Sequence, residues 1–191
     1  MDKTEVIGIA GGLRYHLPMT SAGFIIRPAH TNDVRAIAAI RQPLEDDNGG
    51  AKKLLHHDLV GLYEKVQEFL VAEDLDGNVI GAGALHVMWE DLAEVRSLVV
   101  SEAARGRGVG HGIVAALLEH AASLGIKRVF CLTFEVDFFK KHGFGPISDV
   151  PVDEVTYAEM VRSTDDGVAE FLDLARVKQN TLGNTRMLRV L

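Results

Sequence analysis

Apolar residues recur along this chain with two periods, and the two periods predict strands and helices in alternation. Two-residue alternation and short apolar runs, rich in β-branched residues and bounded by glycine-containing turns, are typical of strands. They predict strands at residues 24–27, 70–73, 79–88, 94–100, 128–133, 144–147 and 185–190.

Apolar side chains at helical spacing predict two helices near the N-terminus, one capped by Thr31 or Asn32 and one that runs from Asp58 to Phe69. A polar, glycine-rich loop at 42–50 separates them. Further helices are predicted at 113–124, 135–141 and 168–174. The alternation indicates an α/β fold (α+β in some schemes) with a mixed central β-sheet flanked by helices on both faces. We expect one domain over residues 23–191, after an irregular leader at 1–22.

Composition narrows the class of protein. The chain has 191 residues, 47% of them hydrophobic, which is enough for one domain with a substantial core. Its 20 Lys and Arg against 27 Asp and Glu give a net charge of -7, which argues against nucleic-acid binding and means that any anionic ligand needs a local site. A single cysteine, Cys131, is expected in the core, and it excludes a disulfide framework and suits a reducing compartment. No apolar run is long enough for a membrane span and no signal-peptide pattern is present, so we expect a cytoplasmic protein.

The most informative motif is a glycine-rich turn between the strand at 94–100 and the helix that follows. Its glycines let backbone amides approach a ligand closely, and the helix N-terminus adds unpaired N–H groups and a favourable dipole, so the motif indicates an anion site. It is neither a P-loop nor a Rossmann fingerprint, because the required spacing is missing. The alternative to an anion site is an ordinary glycine-rich turn with two solvated arginines. We call this segment the glycine loop; it consists of Arg105, Gly106, Arg107, Gly108, Val109 and Gly110.

These residues resemble a known family. Arg105-x-x-Gly108-x-Gly110 after an apolar strand resembles the acetyl-CoA signature of the GNAT superfamily of N-acetyltransferases, and residues 138–144 resemble its second motif. The runs 94–100 and 129–133 are similar to the acetyltransferase domain of bacterial N-acetylglutamate synthases. The closing residues 180–188 resemble short, stand-alone actinobacterial forms, so the resemblance extends from about residue 24 to the C-terminus.

The resemblance implies an enzyme that moves an acetyl group from acetyl-CoA to the α-amine of glutamate or glutamine, the first step of arginine biosynthesis. Acetyl-CoA would be the cosubstrate. The strand backbone would hold the pantetheine arm and polarise the thioester, while the glycine loop would bind the pyrophosphate. The implied contacts of acetyl-CoA are Leu98, Val99, Val100, Arg105, Gly106, Arg107, Gly108, Val109, Gly110 and Phe139.

The chemistry requires a base, because a protonated amine cannot attack a thioester. Glu94 occupies the acidic position of the family and is our candidate general base, acting directly or through water; the alternative is a structural salt bridge with Arg96. Many family members place a tyrosine in the second motif to protonate the leaving thiolate, but Phe138 and Phe139 stand there. The acid is therefore unassigned between Ser97 and water, and Ser97 is alternatively a small strand residue.

The acceptor's α-carboxylate needs a cation. The resemblance places the acceptor between the two N-terminal helices, where the basic residues are Arg41, Lys52, Lys53, His56 and His57; alternatively they form a solvated basic face. We predict no metal site, since no carboxylate pattern joins the two histidines. Long synthases carry an arginine after the strand at 128–133, whereas this chain has Glu135. An anion there would repel a second carboxylate, so we expect glutamine to compete with glutamate as the acceptor.

Two alternatives stay open at this point. One is a GNAT enzyme for another small amine or a peptide N-terminus, and the other is a catalytically silent module that senses acetyl-CoA. Exposed sheet edges and the C-terminal strand favour a homodimer. The family resemblance alone suggests arginine as a feedback inhibitor.

Overall fold

The computed structural model describes residues 23–45, 58–174 and 184–191, which form a seven-stranded sheet with helices on both faces. The strand order is β1-β2-β3-β4-β5-β7-β6. Neighbouring strands are antiparallel, except for β4 and β5, which are parallel and joined through a helix. The strands are β1 Phe24–Pro28, β2 Phe69–Asp74, β3 Val79–Trp89, β4 Leu92–Val100, β5 Arg128–Thr133, β6 Gly145–Pro146 and β7 Thr185–Val190.

In the described residues, six α-helices cover the two faces of this sheet. The helices are α1 Val34–Glu45, α2 Leu59–Glu64, α3 Val109–Ser123, α4 Val136–Lys140, α5 Glu154–Met160 and α6 Asp166–Phe171. Helices α3 and α4 pack on one face, where they bury Ile113 and Phe139 against strand residues such as Val95. The opposite face carries α1 and α2 over β2 to β4, and α5 and α6 over β4 and β5. The predicted fold class is confirmed.

Strand β4 bends where it leaves β5. Ala84 lies opposite Arg96 and Ala82 lies opposite Val99, so two residues of β4 face one residue of β3 and form a β-bulge. Ser97, in the bulge, has a φ of 56°. The parallel ladder with β5 covers Leu92–Glu94 in the described structure, whereas β5 continues along β7 to Thr133. The two strands therefore diverge after Glu94, and a cleft opens between them.

The structure corrects some of the predicted boundaries. Helix α1 continues to Glu45, so residues 42–45 of the predicted loop are helical, because Leu44 packs on the core and Arg41 pairs with Glu45 one helical turn away; the rest of that loop lies outside the described residues. The second predicted helix ends at Glu64, since Phe69 is buried in the sheet opposite Ala84. The spacing of apolar residues favours a helix up to Phe69, but pairing of Phe69 with β3 places it in a strand.

The C-terminal region differs most from the prediction. Helix α5 was not predicted, because it buries only Met160 and its sequence shows little periodicity. The predicted helix at 168–174 begins and ends earlier, as α6. Strand β7 lies between β5 and β6, and β6 has two residues, which pair with Met187 and Leu188 of β7. The leader at 1–22 lies outside the described residues.

Candidate active site

The glycine loop connects β4 to α3 and exposes backbone N–H groups. Gly106 and Gly108 have φ values of 77° and 81°, and a Cβ at either position would meet nothing within 4 Å. Glycine is therefore required by the left-handed conformation and not by packing. Gly108 is the N-cap of α3, and the first helical bond runs from the Gly112 N–H to its carbonyl. The N–H groups of residues 109–111 consequently point out of the helix end, where they suit an anion.

Side chains around this helix end shape the mouth of the cleft. Arg105 and Arg107 are exposed beside it. A Cβ at Gly110 would lie 3.5 Å from the Phe138 ring and 3.6 Å from Val100, so these residues converge. Phe139, in contrast, is 5% exposed and packs in the core. Of the two phenylalanines in the second motif, Phe138 is the one beside the helix end.

The edge of β4 that faces the cleft presents backbone donors. The Ser101 N–H donates to the Ile80 carbonyl of β3, at 2.9 Å. Because N–H groups of successive strand residues point to opposite edges, that of Val100 points away from β3, toward the cleft. Val99 faces the other way and its side chain is buried under α1. The bulge at Ser97 thus separates the part of β4 that pairs with β5 from the part whose backbone N–H groups on that side are available to a ligand.

Glu94 lies at the fork between the two strands, on the sheet face covered by α6. Its side chain is 7% exposed, and its Oε2 accepts no hydrogen bond from the described residues. Its ion partner is Arg96, whose Nη1 is 3.8 Å from Oε2, too long for a hydrogen bond. The sequence offers a structural salt bridge with Arg96 as the alternative role of Glu94. In the structure, the ion pair between the two residues consists of this one long contact.

Arg96 is held away from Glu94 by two other carboxylates. Its Nη1 donates to Asp165 at 2.9 Å and its Nη2 donates to Glu68 at 2.8 Å. His86, the cross-strand partner of Glu94, has Nδ1 3.0 Å from Glu68 and Nε2 3.6 Å from Asp165. We call Glu94, Arg96, Glu68, His86 and Asp165 the Glu94 pocket.

Burial dominates the electrostatics of this pocket. Loss of solvent raises the pKa of Glu94 to about 7, against the pull of Arg96 and His86 and with the help of Asp165. A carboxyl group with a pKa near neutrality is protonated and deprotonated in the physiological range, as a general base requires. Burial also raises the pKa of the Cys131 thiol, which lies in the core as predicted.

The predicted acceptor residues are only partly described. Arg41 is 1% exposed and pairs with Glu45 at 2.9 Å. Burial lowers the pKa of Arg41, Glu45 opposes this shift, and the positive charge of Arg96 adds to it. Glu135 is exposed at the end of β5, and its N–H donates to the Thr133 hydroxyl at 2.9 Å. The residues that lie outside the described ranges are Lys52, Lys53, His56 and His57.

Sequence reasoning missed three members of the Glu94 pocket: Glu68, His86 and Asp165. The hairpin register would have placed His86 opposite Glu94. Asp165 lies 69 residues from Arg96 in the chain, and no local pattern connects the two. Within residues 23–45, 58–174 and 184–191, no group of three or more His, Cys, Asp or Glu side chains is arranged to hold a metal ion. No helix in the same ranges is long and apolar enough to cross a membrane.

Comparison with known proteins decides the family. Residues 36–144, which include β4, the glycine loop and α3, match the acetyltransferase (GNAT) family. The chain belongs to the GNAT family. It is accordingly an acetyltransferase that takes its acetyl group from acetyl-CoA.

Individual relatives are similar over most of the chain. An amino-acid acetyltransferase of Mycobacterium tuberculosis is 54% identical over 169 residues, covering 87% of this chain and 94% of that protein. The crystal structure of Rv2747 from Mycobacterium tuberculosis, in complex with CoA and NLQ, has a TM-score of 0.82 at 52% identity, over 87% of this chain and 99% of that one. N-acetylglutamate synthase from Neisseria gonorrhoeae, complexed with CoA and N-acetyl-glutamate, has a TM-score of 0.69 at 28% identity; 88% of this chain matches 35% of that longer one.

Proposed function

We propose that this GNAT enzyme acetylates the α-amine of an amino acid, L-glutamate or L-glutamine, with Glu94 as the general base. The observation that carries the proposal is the buried Glu94 carboxyl, whose Oε2 accepts no hydrogen bond from the described residues and which lies where β4 and β5 diverge. Its raised pKa suits proton removal from an ammonium group near neutral pH. The names of the relatives, an amino-acid acetyltransferase and an N-acetylglutamate synthase, support the substrate class.

The reaction proceeds by direct attack. The glycine loop binds the pyrophosphate of acetyl-CoA, and the N–H groups of Leu98 and Val100 hold the pantetheine arm and polarise the thioester carbonyl. Glu94 takes one proton from the substrate ammonium, directly or through water, and the free amine adds to the carbonyl carbon. The nitrogen of the tetrahedral intermediate then gives up a second proton as the intermediate expels the CoA thiolate, and the thiolate is protonated through water or the Ser97 hydroxyl, which passes on that proton. The products are the N-acetylated amino acid and CoA.

Glu135 sets the choice between the two acceptors in this proposal. It lies exposed at the end of β5, and a carboxylate there repels the side-chain carboxylate of glutamate but tolerates the amide of glutamine. Glu135→Arg should raise kcat/KM for glutamate relative to glutamine, and Glu135→Gln is the matched control that removes the charge without inverting it. A wild-type enzyme that uses glutamate far better than glutamine would refute this assignment.

Further features belong to the same proposal: the family resemblance supports the pathway and the inhibition, and the sequence supports the location and the assembly. The reaction is the entry to arginine biosynthesis in the cytoplasm, arginine inhibits it, and the enzyme works as a homodimer. Thiol release in the presence of added arginine tests the inhibition, and sedimentation of the purified protein tests the assembly.

The test of the proposed function is thiol release from acetyl-CoA with glutamate, glutamine and a panel of other amines and peptides. Turnover restricted to glutamate or glutamine, and strongly reduced in Glu94→Gln, is the expected result. Turnover on a different amine or a peptide N-terminus would identify the rival acetyltransferase. Tight binding of acetyl-CoA without turnover on any acceptor would identify a sensing module.

A further inference from the structure

The first turn of α6 lies directly on the carboxyl group of Glu94. A Cβ placed at Gly167 would overlap Glu94 Oε2 and lie 2.9 Å from the carboxyl carbon. Gly167 does not have a positive φ, so its backbone conformation is open to any residue. Glycine is therefore needed at this position because the carboxyl of Glu94 occupies the place of a side chain.

The same turn is anchored to the sheet independently of Glu94. Asp165, the N-cap of α6, accepts from the Gly167 N–H at 2.8 Å and from Arg96 on β4 at 2.9 Å. Further along the helix, Phe171 is fully buried and packs edge-on against Phe130 of β5, with ring centroids 5.2 Å apart. Because both ends of α6 are fixed on β4 and β5, the helix cannot easily yield to a larger residue at 167.

We infer that Gly167 is a positioning residue for Glu94: its missing side chain lets α6 close over the carboxyl group and hold it at the fork of the sheet. The inference rests on the proposed role of Glu94 as the base. Burial, to which the contact with Gly167 of α6 contributes, is the main cause of the raised pKa of that carboxyl. The charged groups that also act on it are Arg96 and His86 from the sheet and Asp165 and Glu170 from α6 and its cap.

The decisive variant is Gly167→Ala. Glu94 Oε2 is the far end of a flexible side chain, so the added methyl group moves the carboxyl rather than unfolding α6, in which alanine is the better helix former. A base displaced by an ångström loses about 100-fold in kcat, while KM for acetyl-CoA stays unchanged. Gly145→Ala is the matched control, because a Cβ there meets nothing within 4 Å and its φ is not positive. It should leave kcat at the wild-type value.

Two further variants show whether Gly167 acts through Glu94. In the Glu94→Gln background, Gly167→Ala should cause no additional loss of kcat, because the base is already gone. In the Glu94→Asp background, the shorter side chain makes room for the methyl group, so Gly167→Ala should cost much less than it does in the wild type. Equal losses in all three backgrounds would overturn the inference and leave Gly167 as a residue of general structure.

A titration of the Glu94 carboxyl provides a readout that does not depend on turnover. The carboxyl 13C signal is identified by its absence in Glu94→Gln, and its titration midpoint should fall in Gly167→Ala because the displaced group is less buried. An unchanged midpoint would overturn the inference. If Glu94→Gln keeps the wild-type rate, Glu94 is not the base and the proposed function fails at that point. The titration midpoint of the carboxyl in Gly167→Ala still shows, independently of the rate, whether Gly167 positions Glu94.

Discussion

The glycine loop and the Glu94 pocket both interact with a negative charge, but one is exposed to solvent and the other is buried. The glycine loop is exposed and local: its donors are backbone amides of consecutive residues at the start of α3. The Glu94 pocket is buried and long-range: its side chains come from β3, β4, the turn before β2 and the cap of α6. A ligand anion in water needs only fixed dipoles, whereas a titrating base needs an environment that removes water.

This difference predicts that substitutions in the two regions affect different kinetic and binding constants. Changes in the glycine loop act on cosubstrate affinity through backbone conformation, and they leave the protonation of Glu94 alone. Changes in the Glu94 pocket act on kcat and its pH dependence, and they leave acetyl-CoA binding alone. Each of the following variants tests that separation.

Glu94→Gln should have the largest effect. Removal of the base lowers kcat by at least about 100-fold, because the amide cannot accept the ammonium proton. The dissociation constant of acetyl-CoA, measured by calorimetry, should stay unchanged. If Glu94→Gln also binds acetyl-CoA more weakly, the claim that the two regions act on separate steps is contradicted.

The stability of the same variant reports the burial of Glu94. With a pKa raised from its ordinary value near 4.5 to about 7, the folded protein keeps a proton that the unfolded chain releases in that range. The contribution of Glu94 to the free energy of unfolding therefore decreases as the pH rises from 4.5 to 7, by on the order of 3 kcal/mol. Because Glu170, His120 and His142 also titrate with shifted pKa values, the quantity to measure is the difference between the wild type and Glu94→Gln in denaturant titrations, and this difference should fall by that amount.

Gly108→Ala should weaken acetyl-CoA binding by about tenfold, because a misdirected amide loses a charge-assisted hydrogen bond. Its φ of 81° also strains an alanine. Gly77→Ala in the β2–β3 turn is the matched control, since Gly77 has a φ of 82° and equally open surroundings. Both variants should lose similar stability in thermal melts, but only Gly108→Ala should change the dissociation constant. Equal affinities in the two would contradict the assignment of the glycine loop.

Asp165→Asn should shift the pH dependence of kcat. Asp165 raises the pKa of Glu94, and it also holds Arg96, which lowers that pKa. The substitution removes the first effect and frees Arg96 for the second, so the activity midpoint moves to lower pH and the maximal rate falls by roughly threefold, since a weaker base remains.

The control for this variant is Asp153→Asn. Asp153 also caps a helix, accepting from the Thr156 N–H at 2.9 Å, and asparagine caps helices as well as aspartate does. It lies at the start of α5 and is not a partner of Arg96. A pH profile that shifts equally in both variants would attribute the effect to helix capping rather than to the Glu94 pocket.

The smallest effect is expected at the exposed arginines. Arg105→Gln and Arg107→Gln should each weaken acetyl-CoA binding by about threefold at low salt, and the difference should vanish at high salt because exposed charges are screened. Arg162→Gln, another exposed arginine, which pairs with Glu159 at 2.7 Å, should change nothing. An effect that persists in high salt would indicate a buried contact.

The same comparison explains what could be predicted from the sequence. The glycine loop, the strand before it and the helix after it are adjacent in the chain, so the turn residues and the periodicity predict them together. Glu94 was found by family resemblance and Arg96 was named as its neighbour, but Asp165 and Gly167 were not found, because they reach Glu94 only through the packing of α6. Phe69 shows the same limit, since its helical spacing gave way to pairing in the sheet.

The central claim is that burial under α6 gives Glu94 a pKa suited to a general base. A 13C NMR titration of the Glu94 carboxyl in the wild-type protein, assigned with Glu94→Gln, measures this directly. A midpoint near pH 7 that coincides with the rise of kcat is the predicted result. A midpoint near the ordinary value of 4.5 would show that the carboxyl is solvated and would contradict the claim.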